Sequence, residues 1–184
     1  MFATKLVRLL FSASAMAIVA FASIFSAAAQ TIDLPDGAKM DLSAICPVCN
    51  MKADTGSLGP AAVVFNDRKV VAFDGAGDFF RYLLDPAKFG FELSNIKSFF
   101  VSEYGTKKIV DAKQAYYVTG SDTSGGMGFE AVPFSKKEEA EKFKTEHHGK
   151  TVVSYSEVKP EDVKIRKKIL KMEHGHGEGD KSKH

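Results

Sequence analysis

Short apolar runs separated by turn-forming residues fill the first half of the chain, and their spacing predicts a hairpin, a helix and a third strand. Two valine-rich runs separated by Asn-Asp-Arg have the composition and length of a β-hairpin. A helix is expected next, with Asp74 as its N-cap and Pro86 helping to end it. The predicted elements are the strands PAAVVF (60–65), KVVAF (69–73) and IKSFFVSEY (96–104) and the helix GAGDFFRYLLD (75–85).

The second half repeats this order of elements. VPFS (132–135) matches VAFD (71–74), because each has an apolar strand end, a Phe and then a candidate N-cap. Ser135 and Glu138 also have capping-box spacing. A duplicated unit is the simplest account, although hairpin-then-helix units are common enough for the match to be coincidental. The predicted elements are the strands QAYYVTG (114–120), FEAVPF (129–134) and TVVSYSEV (151–158) and a helix from Ser135.

These patterns predict an α+β protein of two related ββαβ-like units packed side by side. Each unit is expected to have a small antiparallel or mixed sheet and one helix. The expected division of the chain is a signal peptide (1–29), an extended lead-in (30–44), a first unit with the cysteine motif (45–110), a second unit (111–158) and a flexible, basic, His-containing tail (159–184).

Residues 1–29 have the layout of a secretory signal peptide. Lys5 and Arg8 precede a long apolar run whose polar side chains are serines, and alanines then offer a cleavage site after Ala29. An uncleaved membrane anchor is the alternative, since a run of this length can span a bilayer. We expect a cleaved signal and a periplasmic protein. A lipid anchor is not supported, because no cysteine follows the signal.

Charge and motif content narrow the function. The formal net charge of +2 falls to zero once Lys5 and Arg8 are removed, so no overall basic field remains to attract nucleic acid. No Ser-His-Asp constellation or phosphate-binding loop is visible, so we do not expect an enzyme. The tail histidines could collect Cu(II), Zn or Ni loosely or belong to a solvated tail: His174, His176 and His184.

The segment ICPVCNMK (45–52) holds both cysteines of the chain, Cys46 and Cys49, and places Met51 after them. A structural disulfide, a redox couple and a soft-metal site are the three interpretations. An exported protein can keep a disulfide, but so short a loop gains little stability from one. A thioredoxin-like couple needs its first cysteine at a helix N-terminus after a strand, and no apolar strand precedes Cys46.

A soft metal explains the motif best, because thiolate and thioether donors select Cu(I) most sharply. Zinc prefers four donors, and the chain has no second CxxC or HxxxH to complete such a site. In an extended segment Cys49 and Met51 project from one side and Cys46 from the other. A turn at Pro47 would instead bring both thiols together.

A third sulfur donor is predicted in the second unit. Met127 lies in the Gly-rich loop GGMG, where an exposed methionine gains little unless something docks on it. If the two units pack side by side, Met127 can reach the loop of Cys49 and Met51. His147 and His148 could also contribute to the site, although exposed histidines near a helix end are more often simple surface residues.

Three segments together resemble the NosL family, the accessory proteins of nitrous oxide reductase: ICPVCNMK, AVVF with VVAFDGAGDFFRYL, and GGMGFEAVPFSKKEEAEKF. The resemblance covers roughly residues 44–156. It maps the family's Cys-x-Met pair onto Cys49 and Met51 and its second-unit methionine onto Met127, with Cys46 secondary. The family usually has Gly where this chain has Asn50, a residue type that tolerates left-handed backbone angles.

This resemblance implies a periplasmic Cu(I)-binding metallochaperone that supplies copper to the copper centres of nitrous oxide reductase. Another exported copper enzyme is the alternative client, and other copper-assembly proteins are further candidate partners. Two other functions stay open at this point. One is an exported thiol-disulfide oxidoreductase that uses the CxxC pair, and the other is a structural disulfide with Met51 as core filler.

Overall fold

The computed structural model describes residues 30–54 and 57–165. Its strands are β1 (Thr31–Asp33), β2 (Lys39–Asp41), β3 (Ala61–Phe65), β4 (Val70–Phe73), β5 (Ile96–Ser102), β6 (Ile109–Asp111), β7 (Tyr116–Thr119), β8 (Ser124–Gly125), β9 (Gly128–Phe129), β10 (Val132–Phe134) and β11 (Thr151–Ser154). Its α-helices are α1 (Ala76–Leu84), α2 (Pro86–Phe89) and α3 (Lys137–Glu146), and short 3-10 turns span Leu93–Asn95, Ala112–Gln114, Tyr155–Glu157 and Pro160–Val163.

The first unit is an antiparallel sheet in the order β4-β3-β5-β6. Its central strand β3 is buried along its whole length because both of its faces are covered. Ala61 and Val63 face the larger core, which also contains α1 residues, whereas Ala62 and Val64 face a smaller core with the lead-in. The continuous apolar run AAVVF is therefore explained by burial on two sides.

The lead-in forms a small hairpin, β1 paired with β2. Its anchor is Met40, which is fully buried and lies in the same core cluster as Ala62, Val64 and Phe100. We expected only an extended segment here, because strands of three residues are too short to show a clear period. The hairpin therefore covers the face of the first sheet that α1 does not.

The second unit is a three-stranded antiparallel sheet in the order β10-β7-β11, with α3 packed on it. The first three strands of the first unit follow the same plan, since β4-β3-β5 is also the order of second, first and third strand. The prediction of an α+β fold with two related ββαβ-like units is confirmed.

Both predicted N-caps are wrong by one residue. Gly75 and Lys136 are the actual caps of α1 and α3, and neither makes a side-chain capping bond. Asp74 and Ser135 instead make hydrogen bonds outside the helices. The Asp74 carboxylate accepts a bond from a thiol, and the Ser135 amide donates to Glu103.

The two units share one core. Tyr117 of β7 is fully buried beside α1, and its ring meets Phe80 edge to face at 4.9 Å between ring centroids. Tyr155, just after β11, contacts the same ring at 5.6 Å. Aromatic pairs of this kind add stability beyond the buried area. The units therefore pack side by side with α1 between them.

The segment after β11 also packs on α1. Val163 is buried, and its carbonyl accepts a hydrogen bond from Arg81 Nε. Ile165 forms an isolated antiparallel bridge with Gly128. The predicted flexible tail (159–184) therefore begins with an ordered stretch, and the rest of it, residues 166–184, lies outside the described residues.

Candidate metal centre

Residues 45–52 form a closed turn, not an extended strand. Ile45 and Lys52 form an antiparallel bridge, and the Cys46 amide donates to the Met51 carbonyl at 2.8 Å. Asn50 has a φ of 59°, a left-handed conformation that Asn tolerates better than most residues. The sequence had left a strand and a turn as alternatives, and the structure has the turn.

The turn brings both thiols to the start of α1, where each meets a carboxylate. The Cys46 thiol donates to Asp78 Oδ2 at 3.4 Å, and the Cys49 thiol donates to Asp74 Oδ1 at 3.3 Å. Their sulfur and carboxylate oxygen atoms all lie within 4.8 Å of one another. We call these four residues the thiol-carboxylate cluster. A metal ion at its centre would be within reach of every member.

The two thiols differ in access. Cys46 is fully buried, whereas Cys49 is partly exposed. Residues 45–52 close on themselves through a bridge, so no helix begins at Cys46, and the nearby start of α1 comes from a distant part of the chain. The thioredoxin-like arrangement is therefore absent from this loop. Cys49 is therefore the more accessible of the two thiols.

The positions of the two carboxylates follow from the end of β4 and the start of α1. Asp74 is the first residue after β4, and Asp78 lies in the first turn of α1 with 2% exposure. Sequence reasoning missed both as site residues, since it treated Asp74 only as a helix cap. The available signal was the DGAGD spacing, which places two acids four residues apart between the end of the predicted strand KVVAF and the first turn of the predicted helix.

The surroundings of the cluster disfavour added negative charge. The Cys46 thiol, burial and Asp78 all raise the pKa of Cys49. Burial, with Asp78 next to it, raises the pKa of the Asp74 carboxyl. Both shifts have the same physical reason, because each added negative charge is poorly solvated and repelled by its neighbour. A positive ion would relieve both.

A third carboxyl group lies behind the cluster. Glu130 is 4% exposed and accepts a 2.6 Å hydrogen bond from the Gly77 amide. Burial raises the pKa of Glu130 to about 7, although Arg81 and the Gly77 bond oppose the shift. Arg81 pairs with Asp78 and brings one positive charge against three carboxyl groups. Sequence reasoning missed Glu130 because its contacts are distant in sequence.

A profile of the NosL family matches residues 37–163 of this chain. The chain belongs to the NosL family. Among solved structures it is similar to the crystal structure of the copper chaperone NosL from Shewanella denitrificans, with 26% identity over 64% of this chain and 91% of that chain and a TM-score of 0.56. The solution NMR structure of apo-NosL from Achromobacter cycloclastes also matches, with 26% identity over 56% and 87% of the two chains and a TM-score of 0.43. No curated protein matches the chain.

NosL membership confirms the predicted resemblance and extends it at both ends, from 44–156 to 37–163. It also confirms the expectation that the chain is not an enzyme. Within residues 30–54 and 57–165, no helix combines the length and the apolar character needed to cross a membrane. The predicted signal peptide, with its cleavage after Ala29, lies outside the described residues.

The predicted sulfur donors come from two loops that meet across the units. Met51 is half-buried, and its methyl group lies against Gly126 in the turn between β8 and β9. A Cβ atom added to that glycine would be only 2.5 Å from Met51 Cε. Met127 is the next residue of the same turn and is 9% exposed, so the prediction of an exposed methionine is wrong. The hairpin that carries it folds onto the body of the protein.

The histidine candidates lie away from the thiol-carboxylate cluster or outside the described residues. His147 interacts with Asp122, at 3.0 Å between Nδ1 and Oδ1, and its ring stacks on Phe143. Neither His147 nor His148 belongs to the thiol-carboxylate cluster. The tail histidines lie outside the described residues: His174, His176 and His184.

Proposed function

We propose that this protein is a periplasmic Cu(I) carrier that delivers copper to nitrous oxide reductase or another exported copper enzyme. The observation that carries the proposal is the meeting of two free thiols with two buried carboxylates in one cluster. NosL membership and similarity to a protein described as a copper chaperone support it. The predicted signal peptide would place the carrier in the periplasm.

We assign Cys49, Met51 and Met127 as the Cu(I) ligands, with Cys46 secondary. The chemistry favours this set, because thiolate and thioether are the soft donors that Cu(I) prefers. Burial also favours it, since the partly exposed Cys49 is accessible to an arriving ion and the fully buried Cys46 is not. The contact of Met51 with Gly126 supports a third donor from the neighbouring Met127.

Asp74 and Asp78 fit a supporting role in this proposal. Carboxylate oxygens are hard donors and compete poorly with sulfur for Cu(I). Their negative charge nevertheless favours a cation beside the thiols, and each of them accepts a thiol hydrogen bond that orients a sulfur. The donor set therefore suits a soft monovalent ion held by sulfur in an acidic pocket.

The geometry of the proposed site is compatible with release of Cu(I) as well as with its binding. A site of three sulfur donors with one partly exposed thiol leaves a side open to an incoming ligand of the client protein. A thiol-disulfide oxidoreductase is the weighed alternative, but no helix begins at Cys46, as a thioredoxin-like motif requires.

The experiment uses reduced protein from which residues 1–29 have been removed. We expect it to bind one Cu(I) in competition with a Cu(I) chelator, to show little insulin-disulfide reduction, and to load copper into apo nitrous oxide reductase. Strong insulin reduction without Cu(I) uptake would support the oxidoreductase instead. Cu(I) uptake without transfer to the reductase would support the carrier function and indicate that the client is another exported copper enzyme.

A further inference from the structure

Glu130 joins the two units at the back of the metal centre. It lies between β9 and β10 of the second unit, yet its carboxylate accepts the Gly77 amide in the first turn of α1. The side chain is 4% exposed, so water does not replace this contact. One buried hydrogen bond therefore links the hairpin side of the second unit to the helix that carries Asp78.

The carboxylate occupies space that glycines leave free on both sides. A Cβ atom at Gly77 would lie 2.6 Å from Glu130 Oε2, and one at Gly125 would overlap Oε1. Gly77 belongs to α1 and Gly125 to β8. Glu130 is thus wedged between the start of the helix and the hairpin, and it sets the distance between them.

The same hairpin carries the proposed thioether donor. Gly126 touches the Met51 methyl group, and Met127 follows Gly126 directly. Any shift of the hairpin against α1 would therefore move Met127 relative to the loop of Met51 and Cys49. Precise placement of a ligand needs this kind of support from outside the ligand set.

A carboxylate is a costly choice for a purely structural wedge. It lies near Asp74 and Asp78, and an apolar side chain of similar size would fill the same space without burying another acid. An apolar side chain could not accept the hydrogen bond from the Gly77 amide. This bond fixes the orientation of the Glu130 side chain in the space that it fills.

We propose that Glu130 is a positioning residue for the metal centre, which holds the turn carrying Met127 over the loop carrying Cys49 and Met51. This inference rests on the proposed Cu(I) function. Glu130 acts through Met127 in this account and is not itself a ligand.

A double-mutant cycle tests the coupling, with Cu(I) affinity measured by chelator competition under reducing conditions. Glu130→Ala and Met127→Leu should each weaken binding by about tenfold. The double variant should also lose about tenfold, and not the roughly hundredfold of independent sites, because a misplaced sulfur and a missing sulfur have the same consequence.

Two further variants separate positioning from general stability. Glu130→Gln keeps the volume and an acceptor for the Gly77 amide, so it should bind Cu(I) within about threefold of wild type. Glu103→Ala is the matched control, since Glu103 is 6% exposed and accepts the Ser135 amide near the start of α3. It should lower the melting temperature and leave Cu(I) affinity unchanged.

The inference is overturned if Glu130→Ala binds like wild type, if the losses of Glu130→Ala and Met127→Leu simply multiply, or if Glu130→Gln is as damaging as Glu130→Ala. Failure of the wild-type protein to take up Cu(I) would instead refute the proposed function. The two failures are distinguished by the wild-type titration, which is the first measurement of the series.

Discussion

The helices α1 and α3 begin at equivalent points of the two units, but their first turns face different surroundings. Each starts three residues after the Phe that ends the preceding strand. Seven residues of α1 are buried, whereas α3 buries only Ala140 and Phe143. The difference arises because α1 lies between the units, and α3 covers one side of a single sheet.

The glutamates beside these helix starts show the same contrast. Glu103 accepts the Ser135 amide, and hydrogen bonds from Thr106 and Ser135 lower its pKa. Glu130 accepts the Gly77 amide, yet burial raises its pKa to about 7. Each glutamate accepts one backbone amide near a helix start, yet one is stabilised as an anion and the other is destabilised as one.

This contrast shows why the thiol-carboxylate cluster forms at only one of the two similar helix starts. The second unit repeats the strand order and the helix, but it lacks an enclosed helix start with thiols against it. Residues 45–52 add the thiols, and the neighbouring hairpin adds a methionine. The shared topology is therefore not sufficient to form the candidate site. The site also requires that both units enclose the start of α1.

The largest effect should come from the thiol that is accessible. Cys49→Ser removes the only anionic donor among the three proposed ligands, so Cu(I) affinity should fall by at least ~100-fold, or ~2.7 kcal/mol. Chelator competition measures the loss. A Cys49→Ser protein that keeps wild-type affinity would refute its assignment as a ligand.

Gly77 and its counterpart in the second unit, Glu138, should lose different amounts of stability when replaced by alanine. Helix propensity alone predicts that Gly77→Ala stabilises by about 1 kcal/mol. The added Cβ would instead meet Glu130 Oε2 at 2.6 Å, and we expect a net loss of about 2 kcal/mol. Glu138→Ala should stay within about 1 kcal/mol of wild type. Chemical denaturation measures both, and a stabilised Gly77→Ala would break the comparison.

Substitutions of methionines inside and outside the proposed site should differ in their effect on Cu(I) affinity. Met51→Leu keeps the volume and removes the sulfur, so Cu(I) affinity should drop by about tenfold, or ~1.4 kcal/mol. Met40→Leu is the matched control, because Met40 is fully buried in the lead-in core. Equal Cu(I) affinities for the two variants would show that the Met51 sulfur is not a ligand.

The pH dependence of stability should be the most gradual effect, because it is spread over the whole range between the ordinary and the shifted pKa of Glu130. Glu130 has a pKa of about 7 in the folded protein against an ordinary 4.5, so the folded state keeps a proton that the unfolded state has lost. The free energy of unfolding should therefore fall as pH rises from 4.5 to about 7, with a slope no steeper than about 1.4 kcal/mol per pH unit.

Glu130→Gln should flatten that slope in denaturation curves of the reduced, metal-free protein. Glu103 acts in the opposite direction. Its lowered pKa gives stability that is lost as pH falls below its ordinary value of 4.5. If Glu130→Gln leaves the slope between 4.5 and 7 unchanged, another group must hold the proton.

Most of the fold could be predicted because apolar runs mark buried strands. AAVVF and VVAF became β3 and β4 almost as expected. The β1-β2 hairpin could not be predicted, because its strands are three residues long and its anchor, Met40, contacts residues far away in sequence. Short strands carry too few residues for a period to be recognised.

The site was only half visible in the sequence. Local chemistry pointed to Cys and Met as candidate donors, and residue type predicted that Asn50 could take a left-handed conformation. Asp78 and Glu130 were missed because their roles depend on contacts across many residues. Asp74 was misassigned, since an Asp before a helix is usually a cap.

The central claim is that the Cu(I) site spans the two units, and one titration series tests it most directly. Met127→Leu, Cys46→Ser and Cys49→Ser are compared with wild type by competition with a Cu(I) chelator under reducing conditions. We predict that Met127→Leu loses about tenfold in affinity and that Cys46→Ser loses much less than Cys49→Ser. A silent Met127→Leu together with equal losses for the two serine variants would contradict the account, and the site would then be a local dithiolate within residues 45–52.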